Sequence, residues 1–259
     1  MVMTVPKRRT FDDADAVLRV FTEAADVVAE VLSATSDWGF SGQRESQYAF
    51  DVTADDACLR VLYEAGFAVF SEESGITGDP EAPLVVVDPV DGSTNASRGV
   101  PWFATALCLL HEGEPKVSLV ANHATGQRWT AMAGGGAFLN GEPVSHSGCT
   151  TLRSALVAMS GLPRHHYGWG QFRVLGASAP DLCLVASGVV DAWCDMHRGG
   201  HGLWDYAASA LVCIEAGAVV ADVFGRDLFA PDPTERRSPI AAATQELFDA
   251  FLEERLKDG

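Results

Sequence analysis

One eleven-residue stretch constrains this chain more than any other: Val85-Val86-Val87-Asp88-Pro89-Val90-Asp91-Gly92-Ser93-Thr94-Asn95. An apolar run of this kind, starting at Leu84, reads as a strand buried on both faces. It ends in a carboxylate, and a second carboxylate follows three residues later. Two such groups beside a buried strand repel each other unless a cation sits between them. In open α/β sheets, ligands gather just beyond the carboxyl ends of strands. Oxygen-only donors favour Mg²⁺ over zinc. Gly92 lets the backbone approach a ligand closely, and a helix or turn starting at Ser93 would aim its amides at one place, as a phosphate requires. The same residues also fit a plain turn at Asp91-Gly92 with Asp88 as its cap.

The charge balance points the same way. Lys and Arg number 18 against 35 Asp and Glu, a formal charge of −17. A surface this acidic repels a nucleic-acid backbone. An anionic substrate would need a local reversal of sign, which a bound divalent cation supplies. With 47% hydrophobic and 20% charged residues, the 259-residue chain can bury a sizeable core. Lys7, Arg8 and Arg9 are followed by no apolar stretch of secretory type, and no apolar run approaches the ~18 residues of a membrane span. None of the six cysteines forms a C-x-x-C pair, so buried, reduced thiols and a cytoplasmic location are expected. No membrane partner is expected either.

Periodicity predicts a helix over 12–33, a loop or flap over 36–49, and a helix over 54–65 ended by Gly66. Strands follow at 67–70 and 84–87, then at 103–110, 116–122, 127–133 and 137–139. The last runs into Asn140-Gly141, a strong hairpin signal. Strands at 155–159, 192–195 and 218–222 alternate with helices at 179–188, 205–216 and 244–256, a layered α/β rhythm. Trp102, Trp129, Trp169 and Trp193 read as core or interface.

Two further acidic sites matter. Glu72-Glu73 follows a short strand, where a carboxylate could polarise water or bind metal; alone it also reads as a solvated loop. Trp204-Asp205-Tyr206-Ala207-Ala208 opens a helix carrying Glu215-Ala216-Gly217, with Asp205 as a possible N-cap and Trp204 as a staple. Together, a Glu-Glu pair, D-P-x-D-G-[TS]-x-N and W-D-x-A-A…E-A-G resemble the inositol monophosphatase family of Mg²⁺-dependent, lithium-sensitive phosphomonoesterases. Val52-Thr53-Ala54-Asp55-Asp56 is similar to that family's V-T-x-x-D, and Gly134 to Gly141 to its G-x-G-A-F-x-N-G hairpin. Arg173, Gly176 and Ser178 resemble its R-x-x-G-S/T-A segment. The likeness spans roughly residues 11–250.

The resemblance implies a layered αβαβα sandwich forming one domain over 1–259, with an α+β half over about 1–145 and an α/β half over about 146–259. The metal site would lie between the halves. Glu72, Asp88 and the Val90 carbonyl would hold one Mg²⁺, and Asp88, Asp91 and Asp205 another, with two or three ions in all. Glu72 and Ser93 would orient and deprotonate the attacking water, and the amides of Gly92, Ser93 and Thr94 would cradle phosphate. Asp195, at a position where inositol phosphatases keep an acidic residue, points to a polyol, and Gly176 and Ser178 would bind substrate with it. Li⁺ inhibition and a homodimer are also implied.

There are departures from the family pattern. Ser93 replaces the commoner Thr but keeps the hydroxyl. The segment from Asp56 to Glu72 is short, and of the pair Asp55-Asp56 the spacing favours Asp56 as the carboxylate facing the metal. Arg44 stands in for a basic flap residue. No G-x-S-x-G elbow or activated cysteine supplies a nucleophile. The expanded stretch from Asp195 to Trp204 reads as a surface loop, a substrate-contacting loop, or a His197–His201 metal pair, which its glycines oppose. Arg164-His165-His166 reads as a solvated loop. The leading function is hydrolysis of inositol monophosphate or a related polyol phosphate. The alternatives are a histidinol-phosphate phosphatase, a 3′(2′),5′-bisphosphate nucleotidase, or a catalytically silent homologue.

Overall fold

The computed structural model describes residues 13–44 and 47–258. The basic run Lys7-Arg8-Arg9 lies outside them. Asp13 accepts the Ala16 N–H at 3.1 Å and starts helix α1 (Ala14–Ala34). Val17, Phe21, Ala24, Val28 and Leu32 form its buried stripe, as the three-to-four spacing requires. Helix α2 (Ala49–Ala65) begins five residues before the expected Ala54, because Asp51 turns back to accept the Tyr48 N–H at 3.1 Å. It ends at Gly66, whose φ of 89° suits only glycine comfortably.

Strands β1 (Ala68–Ser71), β2 (Gly75–Thr77) and β3 (Leu84–Asp91) come next, then the short helix α3 (Ser93–Arg98). The meander continues through β4 (Ala104–His111), β5 (Glu114–Asn122), β6 (Arg128–Met132), β7 (Gly136–Leu139) and β8 (Glu142–Pro143). The β7–β8 turn uses Asn140 at φ 51° and Gly141 at φ 86°, the left-handed pair that a tight hairpin demands. These strands form one eight-stranded sheet, ordered β2-β1-β3-β4-β5-β6-β7-β8, with β1 and β3 its parallel pair.

The second sheet is built from β9 (Leu156–Ser160), β10 (Gln171–Arg173) and, after helix α4 (Ser178–Ala186), β11 (Ala192–Asp195). Helix α5 (Ala207–Glu215), β12 (Val219–Asp222), β13 (Pro239–Ala242) and helix α6 (Gln245–Lys257) complete the chain. Its order is β10-β9-β11-β13-β12. β2, β10 and β13 escape sequence reading: they are three or four residues long, and β13 is half alanine.

Side-chain alternation shows how the layers stack. On β3, Val85 and Val87 pack with α1 and α2, while Val86 packs toward α4 and α5. On β11, Trp193 joins that middle core, while Ala192 and Cys194 join Leu247 and Phe251 of α6. The result is helix pair, sheet, helix pair, sheet, helix: the αβαβα sandwich. The boundary placed near residue 145 falls between β8 and β9.

Trp129 and Trp193 are fully buried, and Trp129 donates to Ser187 Oγ at 2.8 Å. Glu215 takes the Gly134 and Gly136 amides at 2.8 and 2.9 Å, tying α5 to the glycine turn before β7. All six cysteines are free thiols; Cys149 is partly exposed and the other five are buried. Among the described residues no helix is long and apolar enough to cross a membrane.

Candidate active site

A regular strand alternates its faces, so Asp88 and Asp91, three residues apart, should point oppositely. They do not, because β3 extends past its expected end at Val87. Its register with β4 shifts between Asp88 and Asp91, around Pro89. A bulge inserts one residue and turns the following side chain over, and it tolerates a proline that donates no ladder bond. The two carboxylates thus converge, with Asp205, so that one oxygen from each lies within 4.8 Å of the others.

These groups line a cleft of about 330 Å³, together with Glu72, Val90, Gly92, Ser93 and Thr94. Glu72 comes from the end of β1, where Ser71 Oγ donates to Asp55 Oδ1 at 2.5 Å. Asp205 closes a short helical turn, Leu203–Asp205, that precedes α5. It is therefore no cap for α5; its Oδ2 accepts the Gly202 N–H at 2.7 Å. Asp91 Oδ2 accepts the Ala179 N–H at 2.6 Å, and Asp88 Oδ1 accepts the Val90 N–H at 3.0 Å. Gly92 caps α3 with φ 90°, and it lines the cleft with Ser93 and Thr94, the first residues of that helix.

The electrostatics are those of crowded acids. Burial, then repulsion from Asp205 and other neighbours, pushes Glu72 well above the usual carboxylate range. Burial and Glu72 do the same to Asp88. Asp91 is raised to about 8 by burial and Asp205, and burial also raises Asp205. Among the described residues no His or Cys lines the cleft, so the carboxylate donor set there is oxygen alone. Buried oxygens that repel one another at this range suit a hard divalent cation such as Mg²⁺.

Ser93 Oγ lies 2.8 Å from both Asp51 Oδ1 and the Val90 carbonyl, so its one proton serves one acceptor at a time. Burial raises Asp51 to about 7, against the Ser93 and Tyr48 donors that lower it. Asp51 is the residue that sequence reading missed. Asp56, expected at the metal, is exposed and outside the cleft. On α2 the buried stripe runs Phe50, Asp51, Ala54, Asp55, Cys58, which turns position 56 to solvent. The signal was present: Asp51 and Asp55 stand four apart, in step with the apolar residues.

Arg44 lines the cleft and pairs with the Glu73 carboxylate, which Gln47 also contacts. Glu73 thus ties the 36–48 loop to the end of β1, and Arg44 is the cation of that loop. Tyr48 Oη reaches Thr94 Oγ1 at 3.4 Å.

Gly176 lines the cleft, but Ser178 and Asp195 do not. Asp195, expected to meet substrate hydroxyls, is wholly buried. It lies two residues beyond Trp193 on β11 and therefore shares that side chain's inward face. Its oxygens accept the His197 N–H at 2.8 Å and the Gly200 N–H at 3.1 Å. Burial opposes its charge, but donation from His201 and these amides holds the carboxyl below its ordinary range.

The 196–202 loop is not simply at the surface, because His201 is buried and Ser178 Oγ lies 2.7 Å from its Nε2. His197 and His201 both face Asp195, with Nδ1 atoms 3.1 and 3.3 Å from its oxygens, which leaves no metal pair. Arg164-His165-His166 stands by α6: His165 Nδ1 is 2.9 Å from Asp258, and the Arg164 N–H donates to it.

A family model described as "Inositol monophosphatase family" matches residues 13–257. A fructose-1,6-bisphosphatase/inositol-1-monophosphatase of Archaeoglobus fulgidus is 30% identical over 253 residues, 93% of this chain and 98% of that one. An inositol-1-monophosphatase of Mycolicibacterium smegmatis is 31% identical over 252 residues, 86% of this chain and 88% of that one. Among solved structures, an extragenic suppressor protein of Bartonella henselae superposes with a TM-score of 0.78 at 28% identity, over 94% of this chain and 99% of that one.

Proposed function

The chain belongs to the inositol monophosphatase family, and we propose that it hydrolyses a small phosphate monoester, a polyol or sugar phosphate, by direct attack of water. The observation that carries this reading is the convergence of Asp88, Asp91 and Asp205 within 4.8 Å, beside Glu72 and the start of α3. Mg²⁺ held by these carboxylates, with the Val90 carbonyl, would act as a Lewis acid and lower the pKa of water. The chain's own groups supply the rest. The amides of Gly92, Ser93 and Thr94, at the start of α3, would receive phosphate oxygens. Asp51 takes the Ser93 proton, so the Ser93 oxygen is free to accept a proton in turn and orient the attacking water. Glu72, which lines the same cleft, would be the second group to orient that water.

With Asp195 turned inward, recognition of polyol hydroxyls falls to the cleft rim, where Gly176, Arg44 and Thr94 stand. A sugar bisphosphate is the second reading, favoured by Arg236. Its guanidinium lies 4.8 Å over the Trp204 ring and pairs with no carboxylate among the described residues. Its charge also reaches Asp205 and partly offsets the rise that burial causes there. Li⁺ inhibition and a homodimer belong to this reading on the strength of the family resemblance, and a cytoplasmic location on the free thiols.

The test is phosphate release from inositol 1-phosphate, fructose 1,6-bisphosphate, histidinol phosphate and 3′-phosphoadenosine 5′-phosphate, with Mg²⁺ and with chelator. Mg²⁺-dependent release from the first or second supports the proposal. Release from the third or fourth alone overturns the substrate class, and release that survives chelation overturns the metal site.

A further inference from the structure

Ser178, His201 and Asp195 have no part in the chemistry above, yet they stand next to one another as a buried polar group outside the cleft. All three are buried. Ser178 Oγ lies 2.7 Å from His201 Nε2, and His201 Nδ1 lies 3.3 Å from Asp195 Oδ2. The order of residue types is that of a nucleophile, base and acid. A nucleophile must reach its substrate, however, and Ser178 is buried and does not line the cleft.

The role of the relay shows one residue further along each strand of chain. Ser178 is followed by Ala179, whose N–H donates to Asp91 Oδ2 at 2.6 Å. His201 is followed by Gly202, whose N–H donates to Asp205 Oδ2 at 2.7 Å. The Ser178–His201 bond therefore couples the two peptide groups that hold two of the three converging carboxylates. These donors belong to separate segments, the start of α4 and the loop after β11, so no local geometry sets their spacing.

The far end of the relay is anchored as well. The Asp195 side chain takes the His197 and Gly200 amides, its carbonyl takes Arg255 Nε of α6 at 3.0 Å, and the Trp193 ring packs edge-on against His201 at 5.5 Å. A Cβ on Gly200 would meet His197 Cβ at 3.0 Å and Asp195 Oδ2 at 3.1 Å, so the loop packs tightly against the carboxylate there.

We propose that Asp195, His201 and Ser178 form a positioning clamp that fixes the separation of Asp91 and Asp205 and thereby sets the affinity of the site for a divalent cation. Two crowded carboxylates repel, and without a cation they drift apart unless their backbones are braced. Each N–H bond occupies one oxygen and leaves the other for the ion. A braced site loses less order on binding, and loss of such outer support weakens metal binding about 10–100-fold.

The inference rests on the metal site of the proposed function, and the test separates the two. Mg²⁺ alone is titrated calorimetrically into the full-length wild type, Ser178→Ala, His201→Ala and the double variant, each checked for folding by circular dichroism in chelator. The expected result is binding at least about tenfold weaker in each single variant, with the double variant no weaker than the worse single one, because both break one bond. If only one single variant folds, its affinity decides. A folded single variant with wild-type affinity overturns the clamp, as does an additive loss in the double variant. Unfolding of both singles also overturns it, since the bond would then serve the fold and not the metal. A wild type that takes up no Mg²⁺ instead overturns the proposed function itself.

Discussion

Gly92 joins the carboxylate strand to α3, and replacing it with alanine tests whether backbone approach there holds the site together. Its φ is 90°, and a Cβ would lie 2.9 Å from Ala177 Cβ, 3.0 Å from the Trp102 carbonyl oxygen and 3.3 Å from Phe103 Cβ. The left-handed conformation alone costs an L-residue about 1–2 kcal/mol. Two contacts near 3 Å, one of them to backbone, add about 1–3 kcal/mol of overpacking. The sum is about 2–5 kcal/mol, or a fall in Tm on the order of 10 °C for a chain of this size. Gly99 ends the same helix at φ 73° with nothing within 4 Å of its would-be Cβ. Gly99→Ala should therefore show the conformational cost alone, a few degrees at most. Differential scanning calorimetry in chelator compares the two. Equal losses would refute the close approach. Gly92→Ala should also cut turnover, because any shift of Gly92 moves Ser93 from its 2.8 Å contact with Asp51.

Asp51→Asn keeps an oxygen that can accept from Ser93 Oγ but removes the carboxylate that can take up its proton, and should lower kcat about 10²–10⁴-fold while Asp56→Asn leaves it unchanged; equal effects in a steady-state assay would contradict this placement. In chelator, Tm should fall from pH 5 to pH 8. Asp91 at about 8 and Asp51 at about 7 stand above their unfolded value of 3.8, so the folded chain holds more protons between these limits and loses that stability as pH rises through them. The depressed carboxyls, Asp195 and Asp222, act below this window. A Tm that climbs across it would count against the acid cluster. Millimolar Mg²⁺ should reverse the decline, adding about 2.7 kcal/mol at a hundredfold excess over Kd; a melting curve indifferent to Mg²⁺ would remove the metal site. Asp88→Asn should abolish hydrolysis yet melt no earlier than wild type in chelator, since it relieves repulsion at a fully buried position.

The parts of the site legible in the sequence are those in which chemistry and chain position coincide. Asp88, Asp91 and Gly92 follow an unmistakable strand, and Glu72 and Asp205 stand where a short strand ends and a helix is about to begin. Where position had to be deduced from periodicity, the reading failed for traceable reasons. Starting α2 at Ala54 hid the stripe that carries Asp51 inward and Asp56 outward. Reading Asp195 by likeness overlooked that it shares the face of Trp193, which the two-residue period of a strand would have shown. The bulge at Pro89 was beyond reach, because register is set by β4, and β4 announces itself only as an apolar run. A further class of determinant leaves no mark on composition at all. The groups that steady Asp91 and Asp205 are peptide N–H donors at Ala179 and Gly202, and every residue but proline carries one. What singles them out is the company of Ser178 and His201, side chains 23 positions apart whose contact exists only once α4 and β11 are packed together.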